Sequence, residues 1–260
     1  MLSEIRKISS LLLSVAFSSI GFIASITVTV LAAREVSSNP LFVGFPNAVG
    51  VGGAVLGTRM IYLISKNNSQ LNALAFTFLI GAFGGAIMFY SLIVDSFVML
   101  LFGAFILGIG QSATLQTRYA ASFVASEKFK ATALSLAVWF SVFGSVFGPR
   151  MVGSYSNFFE NIFNSELIVG YVIALVGMLF AASSLFIFTS KKSILRSPSN
   201  LESESNNQNS NKKNGNLLSL LLVLNHFTMV VIMSATPLHI QDIGETVQLV
   251  GIIISYHTLG

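Results

Sequence analysis

The sequence predicts an all-α, polytopic membrane protein: a six-helix bundle followed by the first one to two helices of a second bundle. Three observations lead to this fold class. The 260 residues are 53% hydrophobic and only 9% charged, which is not the composition of a water-soluble domain. The apolar residues form seven long runs and one shorter run. A strongly polar stretch separates the sixth run from the seventh.

Each long run is a candidate membrane-spanning helix, because about 20 apolar residues cross a hydrocarbon core about 30 Å thick. The first run is too long for the core of a cleavable signal peptide, so we expect a retained helix. Short connections between the runs predict that consecutive helices are antiparallel neighbours. The seven runs cover residues 9–33, 41–64, 71–94, 97–119, 131–153, 167–189 and 217–240.

The polar stretch 197–216 consists mainly of Ser, Asn, Lys and Glu, and it cannot bury enough apolar area to fold. We therefore predict a six-helix bundle over 1–190, a flexible cytoplasmic linker over 191–216 and the start of a second bundle over 217–260. The eighth run, from Gln248 to Gly260, makes only about 20 Å of helix. A terminal carboxylate inside the bilayer is costly, so we expect the natural protein to continue or the reading frame to be truncated.

The basic residues predict the orientation of the chain in the membrane. With the N-terminus inside, twelve of the 14 Lys and Arg residues lie on the cytoplasmic side, and only Arg34 and Arg150 lie outside. This asymmetry follows the positive-inside rule, and it predicts a multi-pass protein of the cell membrane with a cytoplasmic N-terminus. Because the basic residues are scattered rather than clustered in one patch, no nucleic-acid partner is expected.

An internal repeat relates the start of the chain to the segment after the linker. Such repeats are the sequence signature of membrane proteins built from two copies of one helical unit. Short apolar runs also match by chance, but this match begins directly after the predicted linker. The aligned positions are Ser10–Leu13 with Ser219–Leu222, Ser25 with Ser234, Thr27 with Thr236, and Val43–Gly44 with Val250–Gly251.

Several segments resemble helices four, five, seven and eight of prokaryotic members of the major facilitator superfamily. They are Gly108–Gly110, Gln116–Ala121 (QTRYAA), Lys130–Trp139 (KATALSLAVW), Ala235–Ile240 (ATPLHI) and Val250–Gly260 (VGIIISYHTLG). The resemblance implies a secondary active transporter that moves a small organic solute by alternating access. The partners it implies are that solute, protons and the lipid bilayer.

Four small residues on the fifth helix, Gly144, Gly148, Pro149 and Gly153, are similar to the glycine-proline signature of antiporters in that superfamily. The resemblance implies efflux. Small residues four apart allow a neighbouring helix to approach closely, and a proline removes one backbone hydrogen bond so that the helix can bend. Gating and ordinary helix packing are both consistent with this pattern.

The loop after the second helix carries a cytoplasmic charge latch in that superfamily, and here it is degenerate. Arg59 and Lys66 are present, but Tyr62 stands where an acid is expected. Arg59 then serves either the latch or simple anchoring at the inner surface. Near the next cytoplasmic loop, Arg118 either pairs with Glu127 or binds lipid phosphate.

Polar side chains inside predicted spans are candidates for function, because each is costly in lipid unless it faces a partner or a water-filled cavity. The candidates for a substrate cavity are Asn47, Gln111, Gln116 and Asn225. Hydrogen bonds between helices would explain these four residues equally well.

Two histidines are candidates for proton coupling. His226 and His257 lie near the middle of the seventh and eighth runs, and no Asp or Glu lies deep in any run. Imidazole binds and releases protons near neutral pH, although a histidine that only packs helices together remains an alternative.

The sequence shows no feature typical of an enzyme. It has no Cys, no phosphate-binding loop, no metal-ligand cluster and no nucleophile–base arrangement, so neither a cofactor nor a metal is expected. The alternative to a transporter is a non-transporting scaffold or a half-unit derived from one, which the degenerate latch and the short eighth run favour.

Overall fold

The computed structural model describes residues 2–37, 39–188 and 212–259, and this part of the chain is built from eight α-helices. Two short 3-10 helices, Pro40–Phe42 and Glu127–Phe129, precede α2 and α5. The α-helices are α1 Leu2–Val36, α2 Phe45–Asn67, α3 Gln70–Ile93, α4 Phe97–Val124, α5 Lys130–Phe163, α6 Ile168–Phe188, α7 Lys212–Asp242 and α8 Val247–Leu259.

The predicted all-helical membrane fold is confirmed. Within the described residues, the six helices α1 to α6 are long and apolar enough to cross a membrane. The 31 residues of α7 make about 46 Å of helix, which exceeds the thickness of a hydrocarbon core. The chain is therefore a polytopic helical membrane protein.

The helices extend beyond the apolar runs that predicted them. α5 continues to Phe163 instead of ending at 153, and α4 continues to Val124 instead of 119. Backbone hydrogen bonding does not stop where lipid ends, so an apolar run marks only the membrane-embedded part of a helix. α7 begins at Lys212, so the last five residues of the predicted linker, 212–216, are helical. The linker residues 191–211 lie outside the described part of the chain.

Turn residues explain the sharp reversals between antiparallel helices. The Ser96 hydroxyl accepts a hydrogen bond from the backbone N–H of Met99 and caps α4, as serine commonly does. Asn164 ends α5 in the left-handed conformation with a φ of 54°. Gly244 adopts a φ of 82° between α7 and α8, a conformation that glycine adopts without steric cost.

The first six helices form one bundle with α1, α3, α4 and α6 in its interior. Half or more of the apolar segment of each of these helices is buried, compared with 17% for α2 and 28% for α5. α1 packs against α4, α5 and α6, while α3 packs between α4 and α6. α7 and α8 dock onto this bundle through α1 and α5.

Glycines allow the helix backbones of the bundle to touch. A Cβ atom at Gly108 of α4 would overlap the backbone carbonyl of Gly50 on α2, and one at Gly53 would overlap the carbonyl of Phe105. Gly81 of α3 and Gly110 of α4 face each other in the same way, with an added Cβ 2.6–2.7 Å from the opposite Cα. Apolar helices gain no hydrophobic energy by leaving lipid, so this close packing is what holds them together.

Candidate functional site

A cavity of about 180 Å³ lies where α1, α2, α4 and α7 meet. Among the described lining residues, most are apolar, five carry polar side chains and none is charged. The polar residues are Ser25, Thr29, Asn47, Gln111 and Ser234. The other lining residues are Phe22, Ile23, Ile26, Pro46, Gly50, Val51, Met88, Ala104, Leu107, Gly108, Met229, Val230 and Met233.

The α1 wall of the cavity carries two hydroxyl groups, and both already donate their protons to backbone carbonyls. Ser25 Oγ donates to the backbone carbonyl of Phe22 at 2.7 Å, and Thr29 Oγ1 donates to the carbonyl of Ser25 at 2.7 Å. This back-bonding is the usual way in which a helix satisfies a buried hydroxyl. Each oxygen keeps acceptor capacity toward the cavity.

A hydrogen bond between Asn47 and Ser234 connects the first bundle to α7. Asn47 lies in the first turn of α2, directly after Pro46, and its Nδ2 donates to Ser234 Oγ at 3.2 Å. Ser234 is the residue that the internal repeat aligns with Ser25. The two aligned helices, α1 and α7, therefore contribute equivalent serines to one cavity.

Gln111 lines the cavity from α4, and its side-chain amide makes no hydrogen bond to any residue that the structure describes. The residue is half-buried. Buried polar groups in folded proteins nearly always have a partner. The carboxamide therefore offers two N–H donors and one carbonyl acceptor to whatever occupies the cavity.

The other predicted cavity residues lie elsewhere. Gln116 is on α4, but five residues of helix rotate it by roughly 140° from Gln111, and it does not line the cavity. Asn225 is exposed on α7. His257 is exposed on α8. His226 belongs to α7, but its side chain lies outside the described part of the structure.

The glycine-proline segment of α5 contacts both parts of the molecule. Gly144 and Gly148 pack against α1, where a Cβ at Gly148 would lie 2.7 Å from the carbonyl oxygen of Ile20. Gly153 packs on α8, where an added Cβ would lie 3.0 Å from the Cα of Gln248. Pro149 contacts α8 as well, because a Cβ at Gly251 would overlap its carbonyl.

An ion pair joins the ends of α1 and α7 beyond the cavity. Arg34 Nη1 donates to Asp242 Oδ1 at 2.6 Å and lies 3.4 Å from Gln241 Oε1. The two charged side chains are 45% and 54% exposed. This pair and the Asn47–Ser234 hydrogen bond hold α7 against the first bundle at one end of the cavity.

The residues predicted to make cytoplasmic charge contacts are spread along the opposite end of the bundle. Arg59 and Lys66 are exposed on α2. Glu127 accepts from Lys130 Nζ at 2.6 Å, so the suggested pairing of Glu127 with Arg118 is not what the structure has. Arg118 Nε is buried and has no hydrogen-bond partner among the described residues.

Glu166 lies in the loop between α5 and α6, and its surroundings shift the pKa of its carboxyl. Burial raises the pKa of its carboxyl above the ordinary value of 4.5, and the nearby negative charge of Glu160 raises this pKa further. Both effects disfavour the ionised form. Glu166 lies at the same end of the bundle as Arg34.

Sequence reasoning missed part of the cavity wall. Met88, Met229 and Met233 read as ordinary apolar helix residues, and nothing in their spacing separates a cavity-facing methionine from a lipid-facing one. Ser25 and Ser234 were found by the repeat alignment but were not proposed as cavity residues. Their pairing at equivalent positions of two helices was the signal that could have identified them.

The chain is similar to two proteins of Bacillus subtilis (strain 168), each named as an uncharacterized MFS-type transporter. It is 27% identical to YdeG over 255 residues, which cover 94% of this chain and 59% of YdeG. It is 27% identical to YddS over 263 residues, which cover 97% of this chain and 60% of YddS. The chain thus spans about three fifths of the length of these relatives. No family model matches the chain, and no solved structure matches it.

Proposed function

We propose that this chain, a distant relative of major facilitator superfamily transporters, carries a small organic solute across the cell membrane by secondary active transport. The observation that carries the proposal is the cavity between α1 and α7, the first helices of two aligned repeats. In transporters of this kind the substrate site lies at the interface of the repeats, near the middle of the bilayer.

The contacts around the cavity support an alternating-access cycle. Asn47 binds Ser234, and Arg34 binds Asp242, at the end where α1 and α7 finish. The proposed cytoplasmic N-terminus places this end outside, where the two contacts would hold the cavity closed toward the exterior. Breaking these two contacts would separate α7 from the first bundle and open the cavity to that side.

We further propose that transport is proton-coupled efflux. The resemblance of the Gly144–Gly153 segment of α5 to the antiporter signature supports this direction. The backbone of this segment contacts both α1 and α8, which suits a role in the movement of the second repeat. No charged residue is among the described residues that line the cavity. His257 on α8 and His226 on α7 are the proposed carriers.

Uphill transport in inside-out membrane vesicles tests this function. Vesicles come from cells that overproduce the protein, and a panel of radiolabelled neutral, anionic and cationic aromatic compounds is supplied outside. We expect accumulation that depends on an imposed pH gradient and is abolished by a protonophore. Ser234→Trp fills the cavity and is expected to abolish accumulation, whereas Leu179→Trp on the exposed face of α6 is the matched control.

The outcomes separate transport from its coupling. Accumulation that survives in Ser234→Trp would overturn the assignment of the cavity as the transport site. Accumulation that is unchanged in His257→Ala would remove His257 from the coupling mechanism without affecting the transport proposal. If no compound accumulates in vesicles that contain folded protein, the result favours the non-transporting scaffold.

A further inference from the structure

We infer that the cavity between α1, α2, α4 and α7 binds an uncharged, mostly apolar molecule through one amide or carbonyl group that is held by Gln111. This inference rests on the proposed function and adds the chemical class of the substrate. Three properties of the wall lead to it: its lack of charge, its methionines and the free carboxamide.

The lack of charge in the wall selects against charged ligands. Arg, Lys, His, Asp and Glu are all absent from the described residues that line the cavity. An ion that enters a low-dielectric cavity loses its hydration, and it is stable there only if an opposite charge compensates it. A carboxylate or an ammonium group would find no such partner among the lining residues that the structure describes. An uncharged molecule loses much less hydration when it enters.

The apolar part of the wall suits a flat or irregular hydrocarbon body. Met88 on α3 faces the cavity from one side, and Met229 and Met233 on α7 face it one turn apart from the other. Phe22 of α1 adds an aromatic surface. Methionine is flexible and polarizable, so it adapts to ligands of different shape and contacts aromatic rings favourably. The wall therefore accepts a range of aromatic bodies of similar size.

Gln111 supplies the polar anchor. Its carboxamide has no partner among the described residues, whereas Asn47 donates to Ser234 and the hydroxyl protons of Ser25 and Thr29 are bonded to backbone carbonyls. A ligand amide satisfies both ends of a primary carboxamide, because it can donate and accept at once. A hydrocarbon without such a group would leave Gln111 unsatisfied, which is costly in a mostly apolar wall.

A matched ligand series tests the inference on the purified full chain in lipid nanodiscs. The probes share one naphthalene body: 2-naphthamide is neutral, 2-naphthoate is anionic and 2-naphthylmethylammonium is cationic. Equilibrium binding of each is measured near neutral pH. We expect 2-naphthamide to bind at least about tenfold more tightly than either charged probe. Equal or tighter binding of a charged probe would overturn the inference.

Two variants on the same helix locate the polar anchor. Gln111→Met keeps the side-chain length and removes the carboxamide, and we expect it to weaken binding of 2-naphthamide about tenfold, as the loss of a satisfied hydrogen-bond pair does. Binding of naphthalene itself is expected not to weaken. Gln116→Met makes the same chemical change outside the cavity and is expected to leave both affinities unchanged. Equal effects of the two variants, or none in Gln111→Met, would refute the role of Gln111.

The test also separates this inference from the proposed function. Preference for a charged probe in a protein that still accumulates compounds in vesicles would refute only the substrate class. Tight binding of 2-naphthamide in a protein that moves nothing would support the binding site and contradict transport.

Discussion

The ion pair between Arg34 and Asp242 is predicted to hold the cavity closed at one end, and its removal can be measured. The perturbation is Arg34→Ala, Asp242→Ala and the double variant. The atoms lie 2.6 Å apart, but the side chains are 45% and 54% exposed, so water screens most of the attraction. Exposed pairs contribute about 0.2–1 kcal/mol, which corresponds to an increase of up to about fivefold in the population of the open form.

The 260 residues contain no cysteine, so an introduced thiol is the only one in this part of the protein, and labelling is measured on the protein purified after the reaction. Val51→Cys places that thiol on the cavity wall at a residue that is 45% exposed. The rate of labelling by a membrane-impermeant maleimide is then measured on intact cells. We expect each single variant to raise the rate by about two- to fivefold, and high salt to raise it in the parent protein as well.

The double variant provides the decisive comparison. If Arg34 and Asp242 act only through each other, removing both has no greater effect than removing one, and the coupling energy equals that of the pair. Lys128→Ala, which removes an exposed charge at the opposite end of the bundle, is the control and should leave the labelling rate unchanged. Additive effects of the two single variants, or an unchanged rate in Arg34→Ala, would refute the reasoning.

Two further predictions concern packing and pH. Gly108→Ala should lower the stability of the folded protein in detergent by about 1–3 kcal/mol, because the added methyl overlaps the carbonyl of Gly50. Gly52→Ala, where the added methyl meets no atom within 4 Å, should leave stability unchanged. Equal thermal unfolding of the two variants would contradict this prediction. The folded protein binds a proton at Glu166 more tightly than the unfolded chain does, so the stability that this residue contributes falls as pH rises above 4.5 through its folded pKa. Glu166→Gln should therefore raise the unfolding temperature at neutral pH and flatten its pH dependence, and an unchanged pH profile would refute the role of Glu166.

The helices could be predicted from the sequence because lipid imposes a simple requirement. A spanning segment must be apolar over its length and must satisfy its own backbone hydrogen bonds, so every apolar run became a helix. The helix ends were less predictable. Beyond the membrane, α5 continues to Phe163 through residues whose composition is compatible with either helix or loop.

The cavity could be predicted only in part, because a sequence gives the depth of a residue in the membrane but not the direction in which it points. Asn47 and Gln111 were proposed for the cavity and line it. Gln116 and Asn225 were proposed on the same grounds and do not. The contact of Gly108 with Gly50 determines which face of α4 meets the cavity. This contact joins residues far apart in the sequence, so the local sequence pattern of α4 does not predict it.

The contact between α5 and α8 combines close backbone packing at Pro149, Gly153 and Gly251 with two side-chain contacts. Ser255 Oγ on α8 donates to the backbone carbonyl of Val146 at 3.0 Å, and the Arg150 guanidinium lies 5.9 Å from the centre of the Tyr256 ring. Sliding of α8 along α5 would break both side-chain contacts. It would also be sensitive to the addition of a single methyl group where the two backbones touch.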